Sequence, residues 1–418
     1  MKEEIIAGLD IGSTSIRLVI GQKINDVNGE DVQIIGAVSS PTSGMSKGSI
    51  NSIEDATSSI SACIEKAERL IGVPLTSAWI GINNPKIKCE KSRGVVVVSK
   101  SDGEIDDIDV NRAIDAARSL VVPNNYEILH VIPIKFSIDN QEDIKDPIGM
   151  SGLRLEVETL IILGLSNQIK NLTKAVFRTG LQIDDVALLS LASAEAVLDI
   201  RQRELGVALI NIGAATTSLS VFEEGNLLHT AVLPIGSEHI TSDIAICLRC
   251  PINLAERIKV EYGSSEPTNF SEDDVDISDL VKEENVDDSI TTISQKYVAE
   301  IIEARVEEIF EKIDEELKMI DRSGMLPAGI ILIGGGAKLN GIVETAKRKL
   351  CLPASLGEAK NIRIAIDKAR GLEFLGALGL VVWGRRGSIG NSDNGALSKN
   401  IASAVKKIKG IFGKIIPQ

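Results

Sequence analysis

Near its start the chain has an apolar run at residues 5–9 that ends in Asp10. A turn (Ile11-Gly12-Ser13-Thr14-Ser15) and a second run at 16–20, apolar except for Arg17, follow. Short apolar runs bounded by turn residues predict buried strands. A third strand is predicted at 32–39. Apolar positions then return with helical period at Ile53, Ala56, Ile60, Cys63, Ile64, Ala67 and Leu70, predicting a helix over 53–71. Residues 78–82 read as one more strand.

The same order recurs in the second half. Residues 206–211 form a strand, Ile212-Gly213-Ala214-Ala215-Thr216-Thr217 a small-residue turn, 219–222 a strand, 223–226 a hairpin turn and 227–233 a third strand. Two such copies predict an internally duplicated α/β protein with a cleft between its halves. A helical stretch over 294–321 leads to the strand 328–333. That strand runs into Gly334-Gly335-Gly336 and a helix over 342–350, so backbone can approach a ligand closely. Between residues 79 and 163 lies a segment outside both copies, with strands near 93–98, 128–136 and 155–163 and a helix over 110–120. This predicts a small α+β insertion. Residues 266–289, dense in acids, read as a solvated surface loop.

At 418 residues the chain divides into two or more domains. Its cores are built from Ile, Leu, Val and Ala, since only 3% of residues are aromatic. The N-terminus lacks a signal-peptide apolar region, and no run approaches eighteen uncharged apolar residues. Five scattered cysteines suit a reducing compartment. The lone Cys247-x-x-Cys250 has no second pair at zinc spacing, so both are expected to be buried small apolar residues. The three histidines are isolated.

Charge is distributed unevenly. The last twenty residues carry five lysines and no acid against −14 for the whole chain, which leaves −19 on residues 1–398. An acidic body argues against nucleic acid as a partner. At 100° per residue, Ile401, Val405, Ile408, Ile411, Phe412 and Ile415 share one face of this tail. Lys406, Lys407, Lys409 and Lys414 occupy or flank the other. A basic amphipathic helix of this kind suits an anionic membrane surface. The alternative, a helix docked on its own core, is opposed by the Gly/Ser/Asn-rich stretch 387–396 before it, which has the composition of a flexible linker.

Small-residue turns between strands can wrap phosphate oxygens with backbone N–H groups and hydroxyls. Gly12, Ser13 and Thr14 suit a β- or γ-phosphate, and Asn211, Gly213, Ala214 and Thr216 can clamp the same phosphates from the opposite side. Asp10, at a strand end, can hold hydrated Mg²⁺. Gly335 and Gly336, with Lys338 just beyond, form the element against which an adenine ring can lie. Glu256 and Lys259, one helical turn apart, suit ribose hydroxyls or form a surface ion pair.

These pieces in this order resemble the actin/heat-shock-chaperone/sugar-kinase superfamily and, more closely, the FtsA family of bacterial cell-division proteins. The resemblance runs through Gly8-Leu-Asp-Ile-Gly-Ser-Thr14, His130-Val-Ile-Pro133, Asp146-Pro-Ile-Gly-Met-Ser-Gly-Leu-Arg154, Glu204-Leu-Gly-Val207, Ile240-Thr-Ser-Asp-Ile-Ala-Ile246, Ala255-Glu-Arg-Ile-Lys259, Ala299-Glu-Ile-Ile-Glu-Ala-Arg305 and the basic tail. It implies a duplicated actin-like (ribonuclease H-like) fold. The first lobe would comprise residues 1–81, 165–203 and 360–386, the inserted domain 82–164, and the second core 204–240 and 312–359. A lower subdomain at 241–311, a linker at 387–398 and a membrane-targeting helix at 399–418 complete it. It further implies ATP or ADP with Mg²⁺ as cofactors, polymerisation with copies of itself, and location on the cytoplasmic face of the membrane at the division site. The C-terminal tail of the tubulin-like FtsZ would dock on the lower subdomain with Lys296 and Arg305 as contacts, and other division proteins would be recruited.

Two departures from the family pattern bear on chemistry. Asn211 stands where an aspartate is usual, and Leu189-Ser190 stands where Glu-Pro is usual. Losing both acids leaves nucleotide binding intact in principle while weakening hydrolysis. The alternatives on this fold are an actin-like adaptor of pilus assembly and a small-molecule kinase.

Overall fold

The computed structural model describes residues 4–26, 29–100, 102–119, 122–271, 273–284, 291–360 and 362–388. The expected membrane helix and all but two residues of the expected linker lie outside the described residues.

Strands β1 (Ile5–Ile11), β2 (Ser15–Asp26) and β3 (Gly29–Pro41) form an antiparallel meander, with the last two longer than the apolar pattern predicts. A small hairpin, β4 (Met45–Ser46) and β5 (Ser49–Ile50), precedes helix α1 (Ile53–Ile71). Ser52 caps α1 by accepting from the Asp55 N–H, and Gly72 ends it at φ 75°. The helix buries Ala56, Ile60, Cys63, Ile64 and Ala67, whereas Leu70 is exposed because the stripe rotates off the core in the last turn. Strand β6 (Ser77–Ile82) pairs parallel to β1.

The insertion contains β7 (Lys88–Val97), α2 (Asp107–Ala117), β8 (Tyr126–Ile138), β9 (Gln141–Ile144) and β10 (Arg154–Leu165), in sheet order β7-β10-β8-β9. Strand β10 has two buried faces. Leu155, Val157, Ile161 and Leu163 pack into the insertion's own core, while Leu160 and Ile162 pack into that of the first lobe. A buried imidazole completes this docking: His130 Nε2 accepts from the Leu188 N–H at 2.9 Å, and its ring meets Trp383 edge-on at 5.6 Å.

The chain re-enters the first lobe through α3 (Ser166–Phe177), β11 (Gln182–Leu188) and α4 (Leu189–Val197), then crosses over by α5 (Ile200–Leu205). The second lobe holds β12 (Val207–Ile212), β13 (Thr217–Glu223), β14 (Asn226–Leu233), α6 (Ser237–Leu248), α7 (Ile252–Tyr262), β15 (Asp274–Asp276), α8 (Ser278–Glu283), β16 (Thr292–Ser294), α9 (Gln295–Met319), β17 (Ile330–Ile333), α10 (Ile342–Leu350) and β18 (Ala354–Leu356). Strand β19 (Arg363–Ile364) and helix α11 (Leu375–Ser388) return to the first. Lys360 joins the two crossings, its Nζ reaching Asp199 Oδ2 at 2.9 Å and Gln202 Oε1 at 3.0 Å.

The duplication is explicit in the sheets. Order β11-β6-β1-β2-β3-β19 in one lobe is matched by β18-β17-β12-β13-β14 in the other. In both, the first strand of the meander pairs antiparallel with the next and parallel with a later strand.

Three expectations are corrected. The acidic stretch 266–289 is not simply a solvated loop: β15 pairs with β16, and Ile277, Leu280 and Val281 are buried in the second lobe's core. Its buried apolar residues are few and span a single helical turn, so they do not stand out among the charges. Neither cysteine of the pair is buried: Cys247 is exposed on the outward side of α6, and Cys250 is half-buried against the second lobe's core. Helix α11 runs through Ser388, two residues into the expected linker.

Candidate functional site

The two hairpin turns face each other across a cleft of about 850 Å³ between the lobes. The cleft is lined by Asp10, Gly12, Ser13, Thr14, Asn211, Gly213, Ala214, Thr216, Glu256, Lys259, Gly335, Gly336 and Lys338, so all thirteen cleft candidates meet in one place although they span the chain.

The turns share one geometry. The Gly12 N–H donates to Ser15 O at 3.1 Å and the Gly213 N–H to Thr216 O at 2.9 Å. A Cβ on Gly12 would stand 2.8 Å from Ser15 O, and one on Gly213 2.9 Å from Thr216 O. Both turns therefore need glycine for the same steric reason. The register makes Asp10 and Asn211 counterparts: Asp10 pairs with Arg17, and Asn211 with Ser218. The second turn also receives the start of α6, with the Ser237 and Glu238 N–H groups donating to the Gly213 and Ala214 carbonyls.

Asp10 is 8% exposed. Burial pushes its carboxyl up to about 6, against the opposing pull of the Arg17 guanidinium. The Arg17 side chain lies beneath both glycine elements, with Nη1 3.8 Å from a Cβ on Gly12 and Nη2 3.9 Å from one on Gly335. Its Nε is buried without a partner. The Arg17 cation beside two donor-rich turns suits an anion, and the buried Asp10 carboxylate suits a cation. Asp10 is the residue here that would hold a hydrated Mg²⁺, a hard cation suited to a carboxylate.

Further along the cleft, Lys259 Nζ contacts Glu256 Oε2 at 2.6 Å and Thr241 Oγ1 at 2.8 Å, while the Thr241 hydroxyl donates to Glu256 Oε2 at 2.5 Å. The Lys259 side chain is 10% exposed and that of Glu256 49%, so this pair is not the solvated ion pair that α7 alone would suggest. The triad presents a carboxylate to the cleft at a spacing suited to hydroxyl recognition. Lys338 Nζ pairs with Glu373 Oε1 at 2.7 Å. Burial opposes ionisation of Glu373, yet Lys338, a backbone N–H and Arg17 hold it below the usual carboxylate range.

The acid missing at Leu189 is replaced by an apolar wall. Leu189 is 3% exposed at the start of α4, and a Cβ on Gly376 would stand 3.3 Å from its Cδ1 and 3.4 Å from Asp10 Oδ2. The Leu189 side chain itself cannot polarise a water.

Arg17, Asn83, Thr241 and Glu373 are cleft residues that sequence reasoning missed. Arg17 was within reach, since the hairpin register opposes it to Asp10; the others are brought in by tertiary contacts. Lys296 and Arg305 lie on α9, outside the cleft. Arg305 is held by Asp243, with Nε–Oδ2 at 2.6 Å and Nη2–Oδ1 at 2.8 Å, and by Glu308. Lys296 is half-buried and also engaged. A partner acid would have to compete for these cations. Among the described residues, no helix is long and apolar enough to cross a membrane. The ten tail candidates lie outside the described residues.

Comparisons with known proteins bear on the family and the fold. The sequence model described as "Cell division protein FtsA" matches residues 208–379, and that described as "SHS2 domain inserted in FTSA" matches residues 85–163. The chain is 34% identical to the cell division protein FtsA of Pseudomonas aeruginosa over 382 residues, covering 91% of this chain and 89% of that one. Among solved structures, the PilM–PilN type IV pilus biogenesis complex aligns at TM-score 0.63 and 16% identity, covering 91% of this chain and 98% of that one. MreB5 of Spiroplasma citri bound to ADP aligns at TM-score 0.54 and 13% identity, covering 93% and 99%. At those identities the two structures speak for the fold alone.

Proposed function

The chain belongs to the FtsA family of cell-division proteins, and on that premise we propose that it is an ATP-binding, actin-like scaffold of the division site. In this reading it polymerises on the cytoplasmic face of the membrane, anchors FtsZ filaments by their C-terminal tail and helps recruit other division proteins. The observation that carries the nucleotide assignment is the convergence of the two matched turns, the glycine element and the Glu256–Lys259–Thr241 triad on one interlobe cleft. Its volume falls within the range of about 300–1,000 Å³ usual for small-ligand sites.

In the bound state Gly12, Ser13 and Thr14 from one lobe and Gly213, Ala214 and Thr216 from the other grip the phosphates through N–H groups and hydroxyls. Arg17 supplies fixed positive charge beneath them. Asp10 would hold hydrated Mg²⁺, which when bound would supply charge neutralisation for the phosphates. Glu256 and Lys259 take the ribose, and the base lies against Gly335 and Gly336 near Lys338. With Asn211 and Leu189 at the positions where acids would orient water, hydrolysis is slow. ATP acts chiefly by stabilising the closed pair of lobes through mass action. The kinase alternative lacks an acid or base for the transferred group at these same two positions.

Membrane anchoring rests on the basic amphipathic tail, with its apolar face from Ile401 to Ile415 and its lysines from Lys406 to Lys414. Lys296 and Arg305 are the proposed FtsZ-tail contacts, and an acidic peptide would exchange with Asp243 on Arg305.

Co-sedimentation with anionic liposomes, comparing the full chain with one ending at Ser398, with and without Mg-ATP, tests this reading. Pelleting of the full chain alone, with ATP-dependent filaments on the vesicles, is the expected result. If neither form pellets, the anchor reading fails and the pilus-type adaptor or a soluble enzyme moves ahead.

A further inference from the structure

A hydroxyl has one hydrogen to give and two lone pairs with which to accept. Whether a phosphate-turn hydroxyl serves an anion depends on whether something else already occupies its accepting side. In the first turn, Ser13 Oγ accepts the Gly48 N–H at 3.2 Å, a contact made within one lobe by the β4–β5 hairpin. In the second turn, Thr216 Oγ1 accepts Nδ2 of Asn83 at 3.2 Å, and Asn83 belongs to the opposite lobe, in the loop after β6. The two are 133 residues apart in sequence. Asn83 lines the cleft, and its Oδ1 is buried without a partner. An unpaired buried amide oxygen is unfavourable.

We propose that Asn83 is a positioning residue that presets the Thr216 hydroxyl as a donor to the nucleotide phosphates, and that it does so only when the lobes are closed. The proposal rests on the nucleotide reading of the cleft. Ser13 is preset permanently by its own lobe; Thr216 is preset across the cleft. Opening the lobes separates Asn83 from Thr216, and the freed hydroxyl can then turn its hydrogen to water. Closure and phosphate recognition are thereby one event, with Asn83 as the link between them. The residue touches no reacting atom in this scheme and acts through Thr216.

A double-mutant cycle tests it. Mg-ATP affinity is measured for the full-length protein, Asn83→Ala, Thr216→Val and the double variant, with the nucleotide-free melting temperature of each recorded alongside. Each single change is expected to weaken Mg-ATP on the order of tenfold, the scale of one charge-assisted hydrogen bond. The double change is expected to cost no more than either single one, because the two side chains act as a unit. Asn83→Asp, which keeps the shape but can only accept, draws the Thr216 hydrogen to itself and is expected to weaken Mg-ATP more than Asn83→Ala.

Losses that multiply in the double variant would overturn the role of Asn83. So would unchanged affinity in Asn83→Ala and Asn83→Asp, or a fall in nucleotide-free melting that accounts for the lost affinity. In each of those cases tight binding by the unaltered protein leaves the nucleotide reading standing. Absence of Mg-ATP binding by the unaltered protein removes both.

Discussion

Replacing Asp10 by Asn should make the nucleotide-free protein more stable at neutral pH. The carboxyl is pushed from its ordinary 3.8 up to about 6 by burial, with Arg17 opposing. The unfolded chain therefore sheds this proton at lower pH than the folded one does. Stability from this group is fully present below pH 3.8 and is lost as pH rises through about 6. A shift of about two units corresponds to about 3 kcal/mol at pH 7.5. Asparagine stays neutral at every pH and avoids the loss.

The difference in unfolding free energy between Asp10→Asn and the unaltered protein should therefore be near zero at pH 3.5. It should grow to about 3 kcal/mol in favour of the variant by pH 7.5. Urea unfolding at a series of pH values reads it directly. Saturating Mg-ATP should reverse the order, since a cation held by the carboxylate relieves the unaltered protein. Ligand at 1,000 times its dissociation constant would add about 4.1 kcal/mol, which exceeds the gap of about 3 kcal/mol and which the variant largely forfeits. A pH-independent difference, or a variant less stable at pH 7.5, would refute the reasoning.

Gly12→Ala and Gly213→Ala each place a methyl under 3 Å from a carbonyl oxygen of the same turn. Both should abolish detectable Mg-ATP binding in a fluorescent-nucleotide titration while retaining the far-UV circular dichroism of the folded chain. Burial holds the His130 imidazole down at about 4, so its stability contribution is present above pH 6.5 and is lost as pH falls through 4. His130→Phe should abolish that component, about 3 kcal/mol between pH 7.5 and pH 4, while leaving the Leu188 N–H unpaired; urea midpoints at the two pH values measure it. Asn211→Asp restores a carboxylate at the counterpart of Asp10, and Mg²⁺-dependent phosphate release should rise above that of the unaltered chain. Equal or lower turnover would count against slow hydrolysis originating there.

Much of this architecture was legible before any coordinates because it is written in local pattern. The strand–turn–strand units around Gly12 and Gly213, the α1 stripe and the strand running into Gly334 all depend on residues a few positions apart. The duplication required only that two local patterns be compared, and the register of a short hairpin even opposes Asp10 to Arg17. The glycines declared their positions because a tight turn excludes a Cβ wherever it occurs.

Other features depended on distance in sequence. Local period could not reveal that Ile277, Leu280 and Val281 would be buried from an acidic stretch, because a core contact depends on what arrives from the other side. Nor could it place Glu373 against Lys338, or turn the Glu256–Lys259 pair from a surface ion pair into a triad with Thr241. The Asn83–Thr216 contact exists only because two separately folded lobes close on each other. Sequence by itself determined the elements and the chemistry of the turns, because backbone sterics and hydrophobic period act over one or two turns of chain. The tertiary structure alone decided which side chains share the cleft and which charges are already spent, because hydrogen-bond partners and burial are properties of packed surfaces.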